Sequence, residues 1–334
     1  MKTTVKPKKA NAKRQRLETT LSGGMPDRVP VALWRHFPVD DQSPEGLAEA
    51  TLDFQNQFDF DFIKVTPTSS FCLRDWGALD EWHGAVEGTR DYTRRVVHLP
   101  EDWERLPVLD PYQGNLGAQL TCLNLLAAEL GEQVPLVQTI FSPLAQAKNL
   151  SGGEELVIQI RQSPQQVHAG LRTITETTLQ FLDAAIQTGI DGVFYAVQHA
   201  NYNLLTEQEF NEFGRSYDLQ ILQIAQDLWL NVLHLHGENV LFDAVADYPV
   251  GVINWHDRDT KPDLATAQGR LKGAVCGGLQ RQETMVLGSP IQVTAEARDA
   301  IRATGGQRFI LGTGCVLPII APRANILAAR HSVE

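Results

Sequence analysis

The sequence is poor in cysteine, and its four cysteines, Cys72, Cys122, Cys276 and Cys315, lie far apart with no CxxC pair among them. That distribution argues against a disulfide framework and fits a reducing compartment. Long apolar runs are missing too. Nothing approaches the roughly 18 residues of a membrane span, and no apolar signal-peptide core follows the basic start. The chain therefore reads as cytoplasmic, with no membrane partner. The first strand-to-helix turn lacks a G-x-G-x-x-G fingerprint, which lowers a dinucleotide-binding reading. Positive charge is scarce outside the first sixteen residues, MKTTVKPKKANAKRQR. These carry seven basic and no acidic residues, so with a net charge of −11 for the whole chain the remainder carries −18. An acidic body offers no basic face for phosphates, which argues against nucleic acid as a partner. The basic tail lacks the apolar stripe of a targeting helix, and residues 1–16 read as a flexible, disordered segment.

What the chain does have is apolar residue enough, 43% of 334, to bury one large core. From residue 29 onward a unit repeats: a short apolar or β-branched run, then a longer stretch of helical period. The runs cover residues 29–35, 61–66, 134–140, 190–197, 231–236, 250–255, 273–279 and 307–311, eight in all. They are continuously apolar, as in IKV, PLVQ, GVFYAV and GVIN, which suits parallel strands buried on both faces. Helical stretches at 44–58, 171–188, 206–228, 294–303 and 322–330 separate or follow them, with a short one at 16–21 before the first. Thr206 and Glu209 have capping-box spacing, and Gly189 is a C-cap candidate. This alternation predicts an α/β protein, a single (β/α)8 TIM barrel over residues 17–334. Residues 68–133 form an insertion between strands two and three, with Trp76, Trp82, Trp103 and a helix near 117–130. It would overhang the strand ends as a lid or a subunit contact, the latter making a homodimer.

Catalytic groups of a closed barrel gather where its strands end, and those ends are polar here. The first ends in Arg35-His36 and the second holds Lys64; Ser142 follows the third and Gln198-His199 the fourth. The fifth ends His234-Leu235-His236, the sixth runs into Asn254 and Asp257, and the eighth into Thr313 and Cys315. Alternation puts His234 and His236 on one face of their strand, the geometry two imidazoles need to share an ion. Cys315, three strands round the barrel, would complete a His2Cys set with an open position, as suits catalytic zinc. The competing readings are a chance HxH, a histidine that hydrogen-bonds a substrate, and a Cys315 that is a small buried hydrophobe. Arg35 and Lys64, facing a dry barrel mouth, would orient the carboxylate of a small anionic substrate. A Lys64 paired with an acid on an outer helix explains it as well. Tyr195, Gln198, Asn254, Asp257 and Thr313 complete the candidate substrate-binding ring, with an Asp257–Arg258 pair as the plainer reading of that aspartate.

With these residues in place, the chain resembles the uroporphyrinogen decarboxylase superfamily. The segments SGGMPDRVPVALWR, FDFDFIKVTPTSSFCLRDWG, GVFYAVQHANYNLLTEQEF, VLHLHGE, GVINWHDR and FILGTGCVLPIIAPRANILAA come in the family's order, from about residue 16 to the end. The resemblance implies a (β/α)8 barrel, often dimeric. Its decarboxylases remove acetate carboxyls from a porphyrinogen without metal or organic cofactor. Here Arg35 matches the first arginine of their R-x-x-x-R pattern, but Val39 holds the second place and Thr313 the place of a histidine after strand eight. No aspartate stands among Lys64, Thr66 and Thr68, where the decarboxylases carry one. Another branch, the corrinoid-linked methyltransferases, holds zinc on an H-x-C pair after strand five and a cysteine after strand eight. His234-x-His236 and Cys315 occupy those places.

The resemblance thus implies an enzyme and leaves three readings. The first is zinc-dependent methyl transfer involving a small thiol or a corrinoid. Zinc would be bound by His234, His236 and Cys315, with Arg35 beside them as a catalytic group and a corrinoid protein as a candidate partner. The second is a cofactor-independent decarboxylase of uroporphyrinogen or another polycarboxylate, anchored by Arg35 and Lys64. The third is a binding module that has lost its chemistry.

Overall fold

The computed structural model describes residues 11–334. Residues 1–10 of the expected tail lie outside the described part, while residues 12–16 belong to a helix, Ala12–Leu21, that starts earlier than residue 16. Charge anchors this helix. Arg16 is buried, donating from Nε and Nη2 to Asp27 at 2.7 Å each and from Nη1 to the fully buried Asp61 at 2.5 Å. Breaking a buried pair of this kind leaves an uncompensated charge, at a cost of roughly 3–5 kcal/mol.

Seven of the eight expected strands form one parallel sheet, and the first run, residues 29–35, takes the eighth place through a single bridge. The continuous sheet runs in the order β1 (Ile63–Val65), β4 (Leu136–Phe141), β5 (Gly192–Val197), β6 (Val232–Leu235), β7 (Val252–Trp255), β8 (Ala274–Leu279) and β9 (Phe309–Thr313), every pair parallel. The remaining two, β2 (Leu79–Glu81) and β3 (Asp91–Arg94), form a separate antiparallel hairpin. Residues 29–35 close the barrel between β9 and β1. Leu311 N donates to Pro30 O at 2.8 Å and Ala32 N to Leu311 O at 3.0 Å, while Asp61 N donates to Val31 O at 2.9 Å on the other side. This closing segment pairs through one bridge, Val31 with Leu311. Pro30 has no N–H to give a ladder, and Val31 N is taken by the Asp61 carboxylate at 2.7 Å.

Alternation along the strands sorts the apolar residues into two clusters. Ala32, Trp34, Phe62, Val137, Phe194, Val232, Val252, Ala274 and Ile310 fill the barrel, with Leu17 of the first helix among them. Their out-of-phase neighbours Val31, Leu33, Ile63, Leu136, Tyr195, Leu233 and Ile253 pack outward against the helices. The helix Pro44–Phe58 has the expected bounds, starting on a Ser43 side chain that accepts from Gly46 N. The stretch from residue 206 does carry its Thr206–Glu209 capping box, then runs through a π-helical turn at Asn211–Arg215 before Ser216–Ala225. The other long stretches appear as Pro164–Gln187, Pro290–Thr304 and Arg323–His331.

The insertion divides into the β2–β3 hairpin and a helix, Gly114–Leu130, set against Pro44–Phe58. Trp103 is fully buried, its Nε1 donating to Gln159 Oε1 at 2.6 Å. The hairpin tip reaches over the strand ends: Ile319 N donates to Val86 O at 2.8 Å, and Glu87 pairs with Arg281 at 2.8 Å. Among the described residues no helix is long and apolar enough to cross a membrane.

Candidate metal centre and the cavity beside it

Strands β6 and β7 are in register with His234 opposite Asn254, so His236 and His256, one step beyond each strand end, are neighbours on the same inner face. Cys315 follows β9 by two residues, in a turn fixed by the Thr313 hydroxyl donating to Cys315 O at 2.6 Å. Gly314 lets that turn pass close to β7: a Cβ there would lie 2.7 Å from His256 Cα. The result is one cluster. His234, His236, His256 and Cys315 each offer a ligand atom, and these atoms all lie within 4.8 Å of one another. Cys315 Sγ is 3.7 Å from His236 Nδ1. Metal bonds of about 2.0–2.3 Å in a tetrahedral site put ligand atoms roughly 3.3–3.8 Å apart, so small side-chain movements would close the cluster on an ion.

Asn254 decides which nitrogen His234 presents. Its Nδ2 donates to Cys276 O at 2.9 Å and Thr313 O at 3.0 Å, which turns Oδ1 toward His234 Nδ1 at 2.7 Å. Nδ1 therefore carries the proton and donates, leaving the Nε2 lone pair for the cluster. Burial pushes His234 well below its ordinary pKa, His236 down to about 3 and His256 to about 4. The rings are neutral, the form in which imidazole ligates. Burial raises the Cys315 thiol, an effect offset in part by Arg281 and Lys64. His256 Nε2 is buried with no hydrogen-bond partner. A soft sulfur and three imidazoles, one with an orphaned nitrogen, fit zinc.

His256 is the member of this cluster that the sequence reading missed. Its signal was present: Asn254-x-His256 on the sixth run repeats the phase of His234-x-His236 on the fifth.

Beside the cluster a cavity of about 230 Å³ opens, with His234, His236 and Cys315 in its wall. Trp34, Phe141 and Phe194 make its apolar surface, and Lys64, Lys148, Gln198, His36 and Arg90 its polar one. Lys64 Nζ donates to Thr66 Oγ1 at 3.1 Å and lies 4.7 Å from the Phe194 ring centre. Burial holds its pKa down to about 7. Gln198 lines the cavity, where its Oε1 accepts from Lys148 Nζ at 2.8 Å.

Five expected residues are elsewhere, and strand alternation explains two of them. Arg35 is out of phase with Trp34 and His36, so it points outward. Its guanidinium lies 5.1 Å from the Phe37 and Phe54 ring centres and donates to Ile319 O at 3.2 Å. Tyr195 is out of phase with Phe194 and Ala196, and its hydroxyl donates to Asp218 in the helical layer at 2.8 Å. Asp257 is buried with Oδ2 accepting from Gly278 N at 3.0 Å, and Arg258 approaches only to 3.8 Å. Thr313 holds the Cys315 turn. Asn254 is inside the barrel, behind His234, rather than on the cavity surface.

The family model for uroporphyrinogen decarboxylase (URO-D) matches residues 12–334. The chain belongs to the uroporphyrinogen decarboxylase family. Similar proteins in it carry two kinds of activity in their names. The methylcobamide:CoM methyltransferase MtbA of Methanosarcina acetivorans is 22% identical over 244 residues, spanning 70% of this chain and 68% of that protein. The uroporphyrinogen decarboxylase of Tolumonas auensis is 25% identical over 295 residues, 84% of this chain and 80% of that one. A solved methyltransferase from Methanosarcina mazei superposes with a TM-score of 0.84 at 18% identity, covering 96% of this URO-D chain and 97% of its own.

Proposed function

We propose that this URO-D family enzyme transfers a methyl group between a corrinoid and a small thiol, with zinc on His234, His236 and Cys315. The observation that carries the reading is the convergence of these three with His256 inside one 4.8 Å cluster at the strand ends. Zinc, when bound, would hold an incoming thiol as its thiolate, the nucleophilic form. The chain's own contributions are separable. Asn254 fixes the His234 tautomer, the Thr313–Cys315 turn aims the sulfur, and Trp34, Phe141 and Phe194 keep water from the reacting face. With four protein donors present, His256 is either a fourth ligand that a thiol replaces or a hydrogen-bonding neighbour of the open position. The cavity supports a small thiol over a tetrapyrrole, since about 230 Å³ is below the roughly 300–1,000 Å³ of pockets for drug-sized ligands. A corrinoid protein would approach from the solvent side of that cavity.

Metal analysis of the purified protein tests this. About one equivalent of zinc is expected, falling steeply in Cys315→Ala; under about a tenth of an equivalent, unchanged by Cys315→Ala, would sink it. The decarboxylase alternative keeps Lys64 as an anchor but loses Arg35, which faces the helices. It predicts carboxyl loss from uroporphyrinogen under anaerobic, reducing conditions. The binding-module alternative predicts that alanine at His234, His236 and Cys315 together is tolerated.

A further inference from the structure

The cavity carries a charge imbalance that methyl transfer leaves unused. Two lysines face it, Lys64 from β1 and Lys148 from the helix Pro143–Ser151 that follows β4. Each ammonium donates to a neutral side-chain acceptor, Thr66 Oγ1 at 3.1 Å for Lys64 and Gln198 Oε1 at 2.8 Å for Lys148, and the one group that raises Lys64 is the Cys315 sulfur. Among the described residues neither has a carboxylate that raises its pKa. The other charged side chains of the wall are matched: Arg90 with Asp41 at 2.8 Å, and Glu87 with Arg281 at 2.8 Å. A buried ammonium without its counter-charge costs several kcal/mol. Burial accordingly holds Lys64 to about 7 and Lys148 to about 8. Two cations in one cleft, Lys64 buried and Lys148 half-buried, mark a place where a ligand supplies the missing charge.

We infer that the cavity takes a small dianion of the short aliphatic dicarboxylate class, with one carboxylate on Lys64 and the other on Lys148. Asn149 adds a neutral hydrogen-bonding group to the wall, and Phe194 lines the apolar surface a methylene chain needs. A lysine is a point donor that a single carboxylate oxygen satisfies, so two lysines select charge number and spacing. The site is built on the two lysines and needs no metal ion, although the Cys315 sulfur lies within electrostatic reach of Lys64.

Calorimetric titration of the full chain at pH 6.5 tests it, with malonate, succinate and glutarate compared against their neutral diamides. The protein is first freed of metal with 1,10-phenanthroline, then examined again with one equivalent of zinc. The best diacid is expected to bind at least about tenfold more tightly than its diamide, the equivalent of about 1.4 kcal/mol, with or without zinc. Lys64→Met and Lys148→Met should each reduce the diacid to the affinity of its monoamide. Lys64→Met should melt no lower than the parent, because a buried uncompensated cation is gone, which separates lost binding from lost folding. Diacid and diamide of equal affinity in the parent would overturn the inference. So would a preference that survives both lysine substitutions, or one that appears only with zinc, since the carboxylate would then be on the metal.

Discussion

Replacing Asn254 by leucine asks whether the metal centre is held from behind. Asn254 is fully buried and makes three hydrogen bonds, to His234 Nδ1, Cys276 O and Thr313 O, at 2.7, 2.9 and 3.0 Å. Leucine fills similar space and removes all three. Each orphaned buried group costs about 1–3 kcal/mol, so a stability loss of roughly 3–5 kcal/mol is expected after partial relaxation. The second effect is on the ion. Without an acceptor at Nδ1, His234 is no longer held in the tautomer that offers Nε2, and its ring is free to turn. Losing such an outer partner weakens metal binding by about 10–100-fold, or roughly 1.4–2.7 kcal/mol. The assay is zinc competition with a chromogenic chelator, on protein that keeps a native far-UV spectrum and a cooperative melt. Asn254→Asp, which retains an acceptor toward His234, should hold zinc better than Asn254→Leu. A folded Asn254→Leu protein with zinc affinity within about twofold of the parent would refute the reasoning, as would equal losses in the two variants.

Two further outcomes follow from residues outside the cluster. Asp218 accepts from Tyr195 and Tyr248 at 2.8 Å each, and burial raises its pKa to about 7 from 3.8. A carboxyl raised on folding contributes most stability below its unfolded pKa and loses it as pH rises toward the folded value. The melting temperature of the parent minus that of Asp218→Asn should therefore fall between about pH 4 and pH 7, with about 4 kcal/mol as the ceiling for three pKa units; a flat difference would contradict this. Arg35→Met, which keeps the packing on Phe37 and Phe54, should leave dicarboxylate binding within about twofold, because what it loses, cation–π contacts of about 0.5–1 kcal/mol and the hydrogen bond to Ile319 O, lies outside the cavity. A tenfold loss by calorimetry would place Arg35 in the site after all.

The contrast between Arg35 and His36 explains how much of the site was legible in the sequence. Eight apolar runs, evenly spread and separated by helical stretches, were enough for a barrel, because continuous burial on both faces leaves strands few other arrangements. The same runs carry a phase, and the phase assigns the site. Starting from His234 and His236, the inward positions are the even ones on β6, and pairing His234 with Asn254 carries that parity to His256 on β7. Applied to the first run, the rule makes Trp34 and His36 inward and Arg35 outward; applied to β5, it makes Phe194 inward and Tyr195 outward. Both assignments agree with the two apolar clusters. Polarity at a strand end therefore identifies a site only when combined with parity, since an arginine can lie under a helix on two aromatic rings as readily as in a pocket. What parity does not reach are groups beyond the strands. Lys148 comes from a helix, Glu87 and Arg90 from the hairpin tip, and Cys315 from a turn whose direction depends on the Thr313 hydroxyl and on the absence of a side chain at Gly314. Their positions are set by tertiary contacts such as Glu87–Arg281 and Arg90–Asp41, which have no periodic trace in the sequence. The four candidate ligands come mainly from the periodic part, and one of the two cavity lysines comes from the aperiodic part. For that reason the candidate metal site of this chain was easier to read from its sequence than the ligand of the cavity beside it.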